Sequence, residues 1–278
     1  MAGDRRRQLA WRSVKVDGRV TAYGVAGDGP PVLFLHGWGL AHRTYKRALE
    51  LLVAGGLRVY APALPGFAGT SPLPPEEFTL AGYARWVARF AAAVDIAEPV
   101  TLVGHSFGGG VAIKTAHDDP DLVARLVLVN SIGGSTWLDD GNQQRLMSER
   151  SVWDWGVHLR ADTFSLRQLT RVVPVIAADA VPNLLRQPRV VWRVGHLARS
   201  ADLAGELDAL RERRLPVVIL WGREDSVLPL ASFESLRVAL GDPTVHLLEG
   251  SHSWLLANPG RFAELVTNVI GIAAAPAA

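Results

Sequence analysis

The sequence predicts an α/β fold in which a mostly parallel sheet is covered by helices on both faces. Three observations carry this prediction. Short runs of Val, Leu and Ile are apolar at every position, as in strands that are buried on both faces of a parallel sheet. Helical patterns, with apolar residues at three- and four-residue spacing, alternate with these runs. The chain of 278 residues is 49% hydrophobic, and it is long enough to bury one large core.

The first element is a hairpin, because Trp11–Val16 and Arg19–Val25 flank Asp17-Gly18, a dipeptide that favours a tight turn. Six buried strands are predicted at Val32–Leu35, Leu57–Ala61, Val100–Val103, Leu126–Val129, Val217–Leu220 and Thr244–Leu248. Helices between and after them are predicted at Thr44–Ala54, Leu80–Val94, Phe107–His117, Leu230–Leu240 and Arg261–Ile270. This alternation is typical of a doubly wound α/β fold.

The alternation breaks once, between Gly133 and Gly205, where no convincing buried strand is found. Three prolines are predicted to divide this stretch into helical pieces such as Leu166–Val173 and Val190–Arg199: Pro174, Pro182 and Pro188. We therefore predict one domain with an inserted helical cap over the carboxyl edge of the sheet. The core is assigned to residues 1–132 and 206–278, and the cap to residues 133–205.

Composition narrows the class of protein. The 29 basic and 27 acidic residues are interspersed, and the one basic block, Arg5 to Arg7, is interpreted as a solvated terminus rather than a nucleic-acid arm. The absence of cysteine excludes disulfides and thiolate chemistry. The first residues lack the apolar stretch of a secretory signal, and no apolar run reaches the roughly 18 residues that cross a bilayer. We expect a cytoplasmic protein that acts on a small molecule, with no nucleic-acid partner and no membrane span.

Neither a metal nor another cofactor is expected. The eight histidines are scattered, and none stands at a recognised ligand spacing from a carboxylate. The glycines that follow Gly104 lack the Lys-Ser/Thr ending of a phosphate-binding loop. The oligomeric state, monomer or homodimer, stays open.

The sharpest motif lies between the strand at Val100–Val103 and the helix that follows, where residues 104–108 read Gly-His-Ser-Phe-Gly. A serine at the tip of a strained strand-to-helix turn has little room beside its backbone, so glycine is needed two positions away on each side. The amino end of the helix can stabilise negative charge near the serine. The alternative is an ordinary glycine-rich turn. Because the strand and the helix stand on the correct sides, we interpret Ser106 as a nucleophile.

A second glycine-containing loop follows the strand at Val32–Leu35, where residues 36–39 read His-Gly-Trp-Gly. Such a loop can supply a backbone N–H to an oxyanion hole. We assign that N–H to Trp38 and the second donor to the N–H of Phe107. His36 is interpreted as a residue that hydrogen-bonds the backbone and fixes the loop, rather than as a catalytic group.

Two further strands end in loops that carry an acid and a histidine. Glu224 and Asp225 follow the strand at Val217–Leu220, and His252 follows the strand at Thr244–Leu248. Each loop alone could be a simple surface loop, and either carboxylate could orient a histidine. Together with the serine they give the chain order Ser, acid, His, with each member after a separate core strand.

These motifs resemble those of the α/β-hydrolase superfamily, and the resemblance extends from about Val14 to Ile270. The chain most resembles the small bacterial esterases and carbon–carbon bond hydrolases that carry a helical cap. The resemblance implies the α/β-hydrolase fold, with a mostly parallel sheet of eight strands.

The resemblance also separates the candidate residues. The acid of the family stands three residues after the glycine that corresponds to Gly222, which implies Asp225 rather than Glu224. It favours His252, which lies in the loop, over His246, which lies within the strand.

One loop departs from the family pattern. The stretch Ala61–Thr70 resembles a loop that begins Asp-x-x-Gly-x-Gly, but Ala63 stands where Asp is usual and Ala68 where Gly is usual. This departure leaves the hydrogen bonding of the loop open and does not affect the triad. The serine nucleophile excludes the relatives with an aspartate nucleophile, namely haloalkane dehalogenases and the related epoxide hydrolases.

We therefore expect a serine hydrolase that cleaves an ester through an acyl-enzyme on Ser106, with His252 as base and Asp225 as the residue that orients it. Tryptophans in and near the cap favour an apolar or aromatic acyl group. The residues predicted to contact substrate are Trp137, His105 and Trp254. Carbon–carbon hydrolysis, thioester cleavage and cofactor-free perhydrolysis use the same triad and stay open. A ligand-binding or accessory protein without turnover is the alternative from another class.

Overall fold

The computed structural model describes residues 8–138, 144–149 and 172–271. Its strands are β1 (Ala10–Val16), β2 (Arg19–Ala26), β3 (Pro31–Leu35), β4 (Arg58–Pro62), β5 (Val100–His105), β6 (Val123–Val129), β7 (Thr136–Leu138), β8 (Gln144–Leu146), β9 (Val217–Gly222) and β10 (Thr244–Leu248). Eight of them form one sheet in the order β1-β2-β4-β3-β5-β6-β9-β10. β2 runs antiparallel to both of its neighbours, and the other adjacent pairs are parallel. The predicted sheet of eight mostly parallel strands is confirmed.

The described helices are α1 (Lys46–Ala54), α2 (Leu80–Ala93), α3 (Phe107–Asp118), α4 (Val173–Arg186), α5 (Pro188–Arg199), α6 (Ala204–Glu212), α7 (Leu230–Ala239), α8 (Trp254–Ala257) and α9 (Pro259–Ile270). Short 3-10 helices cover His42–Tyr45, Pro75–Glu77 and Met147–Glu149. The five predicted core helices are observed with small shifts at their ends. The side chain of Asn258 caps α9 by accepting a hydrogen bond from the N–H of Arg261, as its position before Pro259 predicts.

The sheet separates two apolar clusters, and side chains alternate between them along each central strand. In β3, Leu33 and Leu35 join a cluster with α2, α3, α6 and α7, whereas Val32 and Phe34 join a cluster with α1, α8 and α9. All four side chains are completely buried. Burial of such a side chain contributes about 1.5–3 kcal/mol, which explains why strands of this kind occupy the middle of the sheet.

The stretch between β6 and α6 differs in part from its prediction. Its described residues include two strands, β7 and β8, which form a separate two-stranded sheet, and Leu146 is 54% exposed. α5 contains the predicted piece Val190–Arg199, whereas most of the predicted piece Leu166–Val173 lies outside the described residues.

The predicted role of Pro182 is wrong, because this residue lies inside α4. Pro174 and Pro188 stand in the first turns of α4 and α5, where the missing N–H of proline costs no helical hydrogen bond. Pro182 lies in the interior of α4, where its missing N–H removes a helical hydrogen bond. We attribute its tolerance to the side chains of Asp179 and Asn183, which bond the core on both sides of it.

The parallel strands place their following loops at one edge of the sheet. β3, β5, β6, β9 and β10 all run in the same direction, so the loops that begin at His36, Ser106, Asn130, Arg223 and Glu249 meet there. Within the part of the chain that the structure describes, no helix is both long and apolar enough to cross a membrane.

Candidate active site

Ser106 occupies a strained turn between β5 and α3. Its φ and ψ are 53° and −119°, and non-glycine residues rarely adopt such a positive φ. A Cβ on Gly104 would lie 2.5 Å from the Gly108 carbonyl oxygen, and a Cβ on Gly108 would lie 2.3 Å from that of Leu35. The obstacles are backbone atoms, so the flanking glycines are required by packing, as the motif predicts.

Hydrogen bonds on both sides hold this turn in place. The N–H of Ser106 donates to the carbonyl of Val129 at 3.0 Å, which ties the turn to the end of β6. The carbonyl of Ser106 accepts from the N–H of Gly109 at 2.9 Å and from that of Ile132 at 3.2 Å. The surrounding backbone therefore supports the strained conformation of the serine at the sheet edge.

The predicted acid and base contact each other. Nδ1 of His252 lies 2.8 Å from Oδ2 of Asp225, and their side chains are only 4% and 1% exposed. Oδ1 of the carboxylate accepts hydrogen bonds from the N–H groups of Val227 and Leu228, at 2.9 and 2.8 Å. Glu224, the other candidate acid, is exposed. Asp225, rather than Glu224, is therefore the carboxylate that contacts this imidazole.

Asn130, which the sequence analysis missed, completes the surroundings of Asp225. Its side-chain N–H donates to Oδ2 of Asp225, and its Oδ1 accepts from the N–H of Gly222 at 3.2 Å and from Nε1 of Trp254 at 2.8 Å. Asn130 is completely buried and has a φ of 41°. Its place immediately after a core strand was a signal that could have identified it.

The loop after β3 lies directly against the serine turn. A Cβ on Gly37 would lie 3.1 Å from the Cβ of Ser106 and 3.0 Å from Nδ1 of His105. A larger residue at position 37 would press on the side chains of His105 and Ser106, so glycine favours this close approach of the loop to the serine turn. Trp38, whose backbone N–H is predicted to donate to an oxyanion, follows Gly37 in this loop, and Phe107 follows Ser106 at the start of α3.

His36 fixes this loop, as predicted. Its Nε2 accepts a hydrogen bond from the N–H of Leu64 at 2.8 Å, and its Nδ1 donates to the carbonyl of Gly37 at 2.9 Å. These partners require the neutral ring with the proton on Nδ1. Burial lowers the pKa of His36 to about 4, which agrees with a neutral structural histidine.

His105 is also structural, and a contact with substrate is not supported. Its Nε2 lies 3.0 Å from the carbonyl oxygen of His252 and its Nδ1 lies 2.8 Å from the hydroxyl of Tyr45. The residue is 1% exposed, and burial, assisted by His252, lowers the pKa of His105 to about 3. Both ring nitrogens are thus used within the protein. The rings of His105 and His252 are 5.0 Å apart, which brings the base loop beside the serine turn.

The other two predicted substrate contacts have different outcomes. Trp254 is 2% exposed, packs against Phe262 and donates from Nε1 to Asn130, so its place is in the core rather than in a pocket wall. Trp137 lies in β7, but its side chain is outside the described part of the structure, and its contact with substrate stays a prediction.

One helix from the predicted cap, α4, is attached to the loops after β3 and β4. Asn183 of α4 accepts from the N–H of Ala68 at 3.0 Å and donates to the carbonyl of Gly39 at 3.1 Å. Asp179 accepts from the N–H and the hydroxyl of Thr44, at 3.0 and 2.6 Å. The α4 helix therefore bridges both loops beside the serine.

The structure also shows how the divergent loop at Ala61–Thr70 is hydrogen-bonded. Ala68 keeps the left-handed backbone that the usual glycine would favour, with a φ of 43°. Its N–H bonds Asn183. The N–H of Ala63 donates to the carbonyl of Ala22 at 2.8 Å, and that of Leu64 to His36. The loop is held without the usual aspartate.

Comparison with known proteins agrees with this architecture. A family model described as the alpha/beta hydrolase family matches residues 32–265. An uncharacterized protein of Mycobacterium tuberculosis is 31% identical, over 90% of this chain and 78% of that protein. A 2-hydroxy-6-oxo-2,4-heptadienoate hydrolase of Pseudomonas putida is 28% identical, over 93% of this chain and 95% of that protein.

The fold likeness extends to solved structures. An esterase from Exiguobacterium antarcticum superimposes with a TM-score of 0.74 at 19% identity, covering 94% of this chain and 100% of that one. The matched family region runs from β3 to α9 and includes the serine turn, the Asp225 loop and the His252 loop. The chain therefore belongs to the alpha/beta hydrolase family.

Proposed function

We propose that this hydrolase cleaves carboxylic esters through an acyl-enzyme on Ser106. The observation that carries the proposal is the buried hydrogen bond between His252 and Asp225, at the sheet edge where the strained turn presents Ser106. A buried carboxylate on Nδ1 selects the tautomer in which Nδ1 carries the proton and Nε2 is unprotonated, as a general base requires.

In the proposed reaction, the hydroxyl oxygen of Ser106 attacks the ester carbonyl carbon while Nε2 of His252 takes the hydroxyl proton. The backbone N–H groups of Trp38 and Phe107 donate to the oxyanion that forms. His252 then gives the proton to the departing alcohol. Water, deprotonated by the same imidazole, attacks the acyl-enzyme, and the carboxylic acid leaves.

We propose an apolar or aromatic acyl group and a cytoplasmic location. The acyl preference is supported by the tryptophans in and near the predicted cap. One of them, Trp38, is partly buried beside α5, where its Nε1 donates to the carbonyl of Val191 at 2.6 Å. A series of p-nitrophenyl esters tests the preference. A medium-chain or aryl ester should exceed the charged dicarboxylate half-ester in kcat/KM, and the reverse order would reject it.

The nucleophile is tested with Ser106→Ala and a fluorophosphonate probe. The wild type should be labelled at Ser106, and the variant should lose both labelling and ester hydrolysis. Ser131→Ala is the matched control, because Ser131 is also buried at this edge but its hydroxyl donates to the carbonyl of Ile132 at 2.7 Å. It should keep both activities. An unlabelled wild type would favour a ligand-binding protein instead.

A second candidate reaction is hydrolysis of a carbon–carbon bond in a 2-hydroxy-6-oxo-2,4-dienoate, which the relative from Pseudomonas putida supports. The same triad could serve it. Parallel assays with this dienoate and with the p-nitrophenyl esters distinguish the two reactions by their kcat/KM values. A thioester and a perhydrolysis assay complete the panel, because the triad alone does not select among these acyl transfers.

A further inference from the structure

A chain of buried hydrogen bonds joins three loops around Ser106. The carbonyl of His252 can only accept, so Nε2 of His105 carries the proton and donates to it at 3.0 Å. Nδ1 of His105 is then an acceptor, and the hydroxyl of Tyr45 donates to it at 2.8 Å. The oxygen of Tyr45 in turn accepts from the N–H of Gly37 at 3.3 Å. Every donor in this chain faces an acceptor.

We propose that Tyr45 is a positioning residue for the reaction on Ser106. Its hydroxyl, acting through the imidazole of His105, holds the Gly37 loop and the His252 loop in fixed positions on two sides of the serine. The proposal rests on the proposed function, since it needs a reaction at Ser106.

The hydroxyl of Tyr45 has a role that its ring cannot fill. The ring is completely buried against Phe34, with centroids 4.8 Å apart, and phenylalanine would preserve this packing. Phenylalanine would leave the N–H of Gly37 and Nδ1 of His105 without their partner. A buried polar group that loses its partner is costly, so the loops shift until water or another group serves it.

Such a shift reaches the reacting atoms because the loop lies close to the nucleophile. A Cβ on Gly37 would lie 3.1 Å from the Cβ of Ser106, which is tighter than ordinary van der Waals contact. The donor assigned to Trp38 belongs to the next peptide. Oxyanion donors act where charge develops in the transition state, so their displacement lowers kcat more than it changes substrate binding.

The state of His105 suits this role. The groups that face it are Tyr45, His252 and His36, and no carboxylate among the described residues is bonded to it. Its ring therefore stays neutral throughout the range in which an esterase is assayed, and Nδ1 keeps its lone pair for the tyrosine hydroxyl. Because the ring does not change its charge, we expect this hydrogen-bond arrangement to be the same between about pH 5 and about pH 9.

The test compares Tyr45→Phe with Tyr83→Phe. Tyr83 is equally buried, and its hydroxyl donates to the carbonyl of Pro65 at 3.1 Å, so the same atom is removed from a similar environment without touching the chain of bonds. Tyr45→Phe should lower kcat for p-nitrophenyl butyrate, and the rate of phosphonylation, by about tenfold, with KM changed less than about twofold. Tyr83→Phe should change each value less than about twofold. Equal losses in both variants, or a loss confined to KM, would overturn the proposal.

Nitrogen-15 NMR of the wild type provides a second test that does not require the variant to fold. The His105 signals, assigned by through-bond correlation to the backbone of the wild type, should show a protonated Nε2 and an unprotonated Nδ1 at pH 7. A proton on Nδ1 would overturn the proposal, because Tyr45 could not then donate to it. A wild type that hydrolyses no acyl substrate and does not react with the phosphonate contradicts the proposed function itself. That failure is visible before any variant is compared.

Discussion

The side-chain amide of Asn130 donates to Oδ2 of Asp225, the carboxylate oxygen that also contacts Nδ1 of His252. The amide cannot be reversed, because its Oδ1 already accepts from the N–H of Gly222 and from Nε1 of Trp254. The left-handed φ of Asn130 belongs to a conformation that asparagine tolerates better than most residues. One side chain thus links the ends of β6 and β9 to the loop of the predicted base.

Replacement of Asn130 by Asp should lower kcat/KM for esters by about 10- to 100-fold. The change is nearly isosteric, but it turns a donor to the Asp225 carboxylate into a second carboxylate. Repulsion between the two groups disturbs the hydrogen bond that orients His252. The added negative charge also favours protonated His252, so the acidic limb of the pH profile of kcat/KM should move to higher pH by about one unit.

Asn258→Asp is the matched control, since the side chain of Asn258 accepts from the N–H of Arg261 at a helix start, where aspartate serves equally well. It adds the same charge at an exposed position, where solvent screens it, and should leave the profile unchanged. An Asn130→Asp variant with the wild-type rate and the wild-type acidic limb would contradict the role assigned to this amide.

Three buried histidines should make the protein less stable as the pH falls. Burial lowers the pKa of His36 to about 4, and that of His42 and His105 to about 3, from an ordinary value of 6.5. Below pH 6.5 the unfolded chain therefore binds more protons than the folded chain. The free energy of unfolding should fall between pH 6.5 and pH 4, by up to about 1.4 kcal/mol per pH unit for each histidine.

Urea unfolding at several pH values measures this slope, provided that the m-value stays constant. His36→Gln keeps an acceptor and a donor but does not titrate, so it should reduce the slope by about one proton. His117→Gln, at a side chain that is 37% exposed, should keep most of the slope. A wild type whose unfolding free energy is the same at pH 6.5 and at pH 4.5 would show that these rings are not buried neutral.

The eight strands of the sheet could be predicted because each is marked locally. The runs at Val100–Val103 and Val217–Leu220 are apolar throughout and end in glycine-containing turns, and such patterns do not depend on distant parts of the chain. For the same reason, the loops that carry Ser106, Asp225 and His252 could be assigned to one edge. Parallel strands leave little choice about where their carboxyl ends meet.

The residues that the sequence analysis missed or misassigned are defined by long-range contacts. Tyr45 lies in a short 3-10 helix, and no local sequence pattern marks it as part of the site. Its hydroxyl nevertheless hydrogen-bonds His105, 60 positions away in the chain. His105 and Trp254 stand beside predicted catalytic residues, which suggested contact with substrate. Only the fold reveals that their polar atoms bond the protein. Pro182 was misinterpreted because the hydrogen bonds that support its helix come from other elements.

The attachment of α4 gives the last prediction. Asp179 and Asn183 are four residues apart, so they lie on the same face of the helix, and both bond loops next to the serine. Asn183 satisfies the N–H of Ala68 and the carbonyl of Gly39 while it is 5% exposed. Asn183→Ala would leave both backbone groups without a partner in a buried place.

Asn183→Ala should therefore lower the free energy of unfolding by about 1–3 kcal/mol. It should also increase the rate at which trypsin cleaves near the exposed Arg186 and Arg189, because the local opening of α4 becomes easier than global unfolding. Mass spectrometry of the first fragments checks the site of cleavage. Asn268→Ala, at an exposed position of α9, is the control and should change neither quantity. First cuts outside residues 186–199 at the wild-type rate would mean that Asn183 does not hold this helix against the core.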